Sequence, residues 1–166
     1  MSYTKINWQN LPNTTTPINA TNLNHMEDGI AAAHGTNGTW TPVINALSET
    51  APTITYTTRT GRYKKINNLV WISFYIRGKI TAVNGTNNYA VIEGLPATPL
   101  TSNLGQTALS LGVIYSLCSN QDDAILSVYD GKIRIQSNNG LAAGRLQVTP
   151  TTYFEIGGSG WYEISE

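Results

Sequence analysis

The sequence predicts a mainly β protein: a short N-terminal arm and a helix expected to self-associate, followed by a β-sandwich or jelly-roll head. Three observations carry this reading. From Trp40 onward, short runs rich in Val, Ile, Tyr, Thr and Trp alternate with Gly, Pro, Asn and Asp clusters, and eight or more such strands at this spacing argue for a sandwich. Only one stretch, Thr16 to Gly35, has a helical period. Charged residues make up only 12% of the 166 residues, against about a quarter in an ordinary domain, so the surface is neutral and rich in hydrogen-bonding groups.

The chain divides into an arm (1–17), a self-association helix (18–35), a neck (36–39) and a head (40–166). The arm is polar and proline-bearing, with Tyr3, Ile6, Trp8 and Leu11 as apolar teeth. An exposed Trp is costly, so it reads as an arm that docks on a neighbour. In the helix, Leu23, Met26, Ile30 and Ala33 are spaced three, four, three and form one apolar stripe. Asn19 suits the N-cap, where its side-chain oxygen accepts from a free backbone N–H. Gly35 suits the C-terminal stop, and His34 lies near the negative end of the helix dipole. A lone helix of this length is marginal in water. Its stripe must cover either the β head or other copies of itself, and the narrow a/d spacing favours copies.

Thr36-Asn37-Gly38 reads as a turn-rich neck. Strands are expected at Trp40–Ile44, Thr53–Thr58, Gly61–Ile66, Leu69–Ile80, Tyr89–Ile92, Ala108–Cys118, Ala124–Tyr129, Lys132–Gln136, Leu146–Val148, Tyr153–Ile156 and Trp161–Ile164. Leu69–Ile80 is the strongest and places Trp71 in the core. Gly112 marks a candidate bulge. Asn84-Gly85, Asp130-Gly131 and Asn139-Gly140 mark turns, and Asp130-Gly131 supplies the positive φ angles of a type I′ hairpin.

Ile18-Asn19-Ala20-Thr21-Asn22-Leu23-Asn24-His25-Met26-Glu27-Asp28-Gly29-Ile30, with Trp8 upstream, resembles the N-A-x-N-L-N-x-x-E-x-G-I helix near the start of many bacteriophage tail-fibre and baseplate proteins. Gly38-Thr39-Trp40-Thr41-Pro42, Tyr56, Gly61 to Val70 and Gly94-Leu95-Pro96 are similar to the G-x-W-T-P … Y … G-x-Y-x-K-x-G-N-x-V … G-L-P β domain that ends many such appendages. One departure is Asn67, where the pattern has Gly. Asn tolerates the left-handed conformation next best, so the turn should survive. The resemblance covers roughly residues 8–96 and implies a trimeric helix joining a virion-attachment segment to a distal, receptor-binding head.

Several function classes fare poorly. Ten basic and ten acidic residues cancel, leaving no basic stripe for nucleic acid. The N-terminus has no secretory pattern and no run reaches 18 apolar residues, so the chain is expected to be made in the host cytoplasm without membrane insertion. Cys118 is the sole cysteine and reads as a buried, inert thiol. Both histidines, His25 and His34, belong to the helix region, which leaves none among the strands for a Ser-His-Asp arrangement. No metal, cofactor or catalytic residue is expected. The carboxylates Glu93, Asp122, Asp123, Asp130, Glu155 and Glu163 leave glycan hydrolysis as a minor alternative.

The expected role is receptor binding at a phage tail tip or baseplate: attachment of the virion to host cell-surface saccharide. The alternative is a structural tail component without receptor binding. Saccharides are held by aromatic faces with hydrogen-bonding neighbours. Tyr115, Asp122, Asp123, Tyr129, Arg134 and Asn138, on and beside the loops 119–123 and 137–140, are the candidate ligand residues. Other virion proteins would engage the arm and helix. In light scattering at micromolar concentration, the protein should show about three times the 18.0 kDa chain mass. Ile30→Asp should lower that mass, because it sets unpaired carboxylates on a closed axis. Assembly like that of wild type would place the stripe against the head instead.

Overall fold

The computed structural model describes residues 18–47, 50–83, 89–100, 107–118, 121–137 and 147–164. The arm (1–17), Asn138 and the Asn84-Gly85 and Asn139-Gly140 turns lie outside the described residues. Helix α1 (Ala20–His34) is followed by nine strands: β1 (Thr36–Trp40), β2 (Val43–Ala46), β3 (Thr53–Ile66), β4 (Leu69–Ala82), β5 (Ala90–Glu93), β6 (Thr107–Tyr115), β7 (Ala124–Tyr129), β8 (Lys132–Ser137) and β9 (Thr151–Glu163). A single 3-10 turn, Gln121–Asp123, precedes β7.

The mainly β expectation holds, with one refinement. The strands form one continuous antiparallel sheet, in the order β1-β3-β4-β9-β6-β7-β8-β5-β2, rather than two separate sheets. Strand β6 joins the two layers: Thr107–Leu109 pairs with β7 and Ser110–Tyr115 pairs with β9. The core lies between the layers, with Ile72, Ile76, Phe154 and Ile156 meeting Ile92, Leu126, Ile133 and Ile135.

Two pairs of expected strands fuse. Thr53–Thr58 and Gly61–Ile66 are one strand, β3, with a register shift between Tyr56 and Thr58. Tyr153–Ile156 and Trp161–Ile164 join through Gly157-Gly158-Ser159-Gly160 into β9, apart from Ile164, which ends in an isolated bridge to Pro99. Those glycines read as a break in the sequence. In the fold they make room for the facing layer: a Cβ on Gly158 would fall 2.7 Å from Leu126 Cδ1, and one on Gly160 would fall 2.7 Å from Leu109 Cδ2. The expected neck is also different. Residues 36–39 belong to β1, hydrogen-bonded along β3 from Thr36↔Lys65 to Trp40↔Gly61.

Local expectations survive. Asn19 Oδ1 accepts from Asn22 N at 2.9 Å, and Gly35 ends α1 with φ +65°. Asn67 has φ +52° in the tight β3–β4 turn, and Asp130-Gly131 have φ +51° and +74°. The β6–β9 register shifts across Gly112. No residue of α1 is buried. Its stripe is open, with Leu23 46%, Met26 38% and Ile30 56% exposed, so it does not cover the head.

The sheet curls until its edge strands β1 and β2 are separated only by Thr41 and Pro42. Two crossed aromatic–glycine pairs hold β1 on β3 beside this seam. Tyr63 covers Gly38, where a Cβ would lie 2.8 Å from the ring, and Trp40 covers Gly61, where it would lie 2.4 Å from Nε1. Trp40 also meets Phe74 edge-on at 6.0 Å. Across the gap, the Tyr56 hydroxyl accepts from Ile44 N at 3.0 Å and donates to Ile44 O at 3.5 Å. Tyr162 does the same for Ala97, accepting from its N at 3.3 Å and donating to its O at 3.0 Å.

Strand directions give the head two ends. The Asn67-Asn68 and Asp130-Gly131 turns and the 94–100 segment lie at the end where α1 enters. Strands β2, β4, β6 and β8 end, and β3, β5, β7 and β9 begin, at the opposite end. Gly61→Val should cost about 1–3 kcal/mol, since the added atoms must displace the packed indole of Trp40. Urea denaturation would read this as a lower midpoint at unchanged slope.

Candidate functional site

Because side chains alternate along a strand, the register fixes what each outer face carries. On the layer β3-β4-β9-β6, four successive outward rows run from the far end toward the helix. They are Thr58/Arg77/Glu155/Tyr115, then Thr60/Tyr75/Gly157/Val113, then Arg62/Ser73/Ser159/Ser110, then Lys64/Trp71/Trp161. Aromatic residues stand at both ends of this face, with a floor of serine and glycine between them. From the Tyr75 row to the Trp71 row is roughly 13 Å at the usual strand rise.

The far-end row is a connected cluster. Arg77 lies over the Tyr153 ring at 4.8 Å, and Tyr115 tilts against Tyr153 at 5.7 Å. Glu155 accepts from the Tyr153 hydroxyl and sits 3.8 Å from Arg77 Nε. A hydrogen bond to Glu155 also raises the Tyr75 hydroxyl above its ordinary pKa, because ionising it would set two anions together. Tyr115 is 56% exposed and Trp161 46% exposed, so both keep ring surface open to a ligand. Beside them, Thr60, Gly61, Arg62, Ser73, Phe74 and Tyr75 line a shallow open hollow of about 160 Å³.

The opposite layer carries a second polar patch. On the side of the strands turned from the core its rows are Val43/Glu93/Lys132/Tyr129 and Asn45/Val91/Arg134/Ser127, of which Val91 and Ser127 are themselves buried. Arg134 stacks on Tyr129 at 3.8 Å, the diagonal contact that an antiparallel pair allows. Lys132 Nζ lies 2.7 Å from Glu93 Oε1, and Asn45 Nδ2 donates to Glu93 Oε2 at 2.9 Å. Ser127 Oγ donates to Gln136 Oε1 at 2.8 Å in a buried pair.

The residues expected to share one ligand site do not share one. Tyr129 and Arg134 meet each other. Tyr115 belongs to the other layer's outer face. Asp122 and Asp123 are exposed in the turn before β7, six residues and roughly 20 Å along the strand from Tyr129. Sequence proximity placed them together, but the β7–β8 hairpin turns at the end opposite the 116–123 connection.

Trp71 also differs from expectation. It faces outward, half-buried, beside Trp161 in register, while Val70, Ile72, Phe74 and Ile76 fill the core. The signal was available in the alternation of Trp71, Ser73, Tyr75 and Arg77 with those apolar residues, a period of two inside an apparently continuous apolar run. Cys118 is buried as expected, and burial pushes its thiol up to about 12. Among the described residues no cluster of three metal-ligating side chains occurs, and no helix is long and apolar enough to cross a membrane.

Lys132, then Asn45, hold the Glu93 carboxyl below its ordinary value of 4.5. A folded-state pKa below the unfolded one contributes stability above the unfolded value, and that stability is lost as pH falls through the folded value. Between about pH 6 and about pH 3, wild type should therefore lose more stability than Glu93→Gln, read by urea denaturation at each pH. Parallel losses would leave the Glu93 pairing without energetic weight. Compared with protein-family models, curated proteins and solved structures, the chain matches none.

Proposed function

We propose that this chain is a receptor-binding protein of a bacteriophage tail tip or baseplate, attaching the virion to saccharide on the host surface. The observation that carries the reading is the outer face of β3-β4-β9-β6, where exposed Tyr115 and Trp161 stand at either end of a serine and glycine floor. Aromatic faces pack on the C–H faces of sugar rings, and hydroxyl floors exchange hydrogen bonds with sugar hydroxyls. The helix fits the same role from the other end. Its open stripe of Leu23, Met26, Ile30 and Ala33 would assemble three copies, and the arm would hold them on the virion. A single shallow site binds weakly, and three per trimer on many trimers supply avidity.

The test is binding of the purified protein to intact cells of a panel of bacteria, with each strain's isolated surface polysaccharide as competitor. Saturable binding that the polysaccharide removes is expected, and Trp161→Ala should weaken it while leaving the circular dichroism spectrum unchanged. No binding to any strain, with tight capture by another virion protein, would make the chain a structural tail component instead.

A further inference from the structure

The chain is neutral overall, but the face just described is not locally neutral. Arg62 and Lys64 project from adjacent rows of β3. Neither forms an ion pair among the described residues. Of the carboxylates on this face, Glu155 is already engaged by Arg77 and two tyrosines. Glu163 lies one row beyond Lys64 and two strands across, roughly 12 Å away at ordinary sheet spacings. The positive charge of Arg62 and Lys64 is therefore uncompensated at this place.

The hollow sits against that charge. Thr60, Arg62, Ser73 and Tyr75 are the four corners of a block on the β3–β4 hairpin, and the backbone of Gly61 and Phe74 runs between them. Its volume of about 160 Å³ equals several waters at about 30 Å³ each, room for a carboxylate or phosphate group. Arg62 offers a planar fork of N–H donors suited to two-point contact with such an anion. Hydroxyls of Thr60 and Ser73 border the same space, Tyr75 lines it with its own hydroxyl held by Glu155, and Ser159 and Ser110 continue the row across the sheet. Trp71 and Trp161 occupy the next row toward the helix, one residue pair or roughly 7 Å on, within the reach of a sugar ring attached to the anion.

We propose that this face binds a saccharide carrying an anionic substituent, with the anion in the Thr60/Arg62/Ser73/Tyr75 hollow and the adjoining ring against Trp71 and Trp161. The inference rests on the saccharide-binding reading and deepens it by naming the charge of the ligand. Carboxylate and phosphate share the chemistry that Arg62 and the hydroxyls recognise, so the test has an arm for each.

Immobilised full-length protein is titrated with polygalacturonate, with a phosphodiester-bearing mannan, with neutral dextran, and with polyglutamate as an anion without sugar rings. At least one acidic glycan should bind about tenfold or more tighter than dextran and polyglutamate, and weaken between about 50 mM and about 500 mM salt. The acidic glycan that binds tells carboxylate from phosphate. Arg62→Gln should weaken that binding about tenfold, Trp161→Ala should weaken it too, and Lys132→Gln on the opposite layer should leave it unchanged. Circular dichroism and the scattering mass confirm that each variant folds and assembles as wild type. Equal binding of dextran, equal binding of polyglutamate, binding of none of the polymers, or an Arg62→Gln variant that binds like wild type would each overturn the proposal. Cell attachment that survives Arg62→Gln would leave the receptor reading standing without this site. Loss of both cell and glycan binding from wild type would end both.

Discussion

Gly38 lies under the Tyr63 ring and Gly61 lies under the Trp40 indole, and the rest of the head depends on this crossed contact. A nine-stranded sheet that curls on itself has two edges to protect, and unpaired edge strands invite association with other chains. Here the edges β1 and β2 are joined by two residues, and large rings filling glycine spaces let β1 lie close on β3. The Tyr56 hydroxyl then satisfies both backbone groups of Ile44 on the other edge, a task that hydrogen bonds between strands would otherwise perform. The residues involved are those of the G-x-W-T-P and G-x-Y patterns, so these motifs carry the packing of β1 on β3.

Once the sheet is closed, its outer faces are fixed by register. Strand β9 matters most, because it lies between β4 and β6 and carries the 157–160 glycine–serine segment through the middle of the layer. Gly158 and Gly160 accept Leu126 and Leu109 from the inside. On the outside, Ser159 is half-buried and Gly157 lies beneath Tyr75 and Val113. One local composition thus serves tight packing on one side and a serine and glycine floor on the other, and the alternation of the strand keeps the two separate.

The molecule is also polar from end to end. Helix α1 enters through Gly35 at the end that holds the turns 67–68 and 130–131 and the 94–100 segment, while strands β2, β4, β6 and β8 end at the other. The helix buries none of its residues against the head, and an amphipathic helix of fifteen residues needs an apolar partner to be stable in water. The head and the helix thus share little apolar surface, and the helix keeps Leu23, Met26 and Ile30 open to solvent.

Much of this was legible in the residues. The Asn19 cap, the Gly35 stop, the Asn67 and Asp130-Gly131 turns and the bulge at Gly112 were all readable, because φ preferences and capping act over a few neighbouring residues. The mainly β class followed from strand runs and turn spacing. What the sequence could not determine was which strands become neighbours. It grouped Tyr115, Asp122, Asp123, Tyr129 and Arg134 by nearness along the chain, whereas tertiary pairing placed Tyr115 with Tyr153 and Arg77, and Tyr129 with Arg134 on the opposite layer. The break expected at 157–160 became the middle of a strand for the same reason. Glycine is unfavourable in an isolated strand, but here side chains from the facing layer occupy the space it leaves, and only the folded register brings them there.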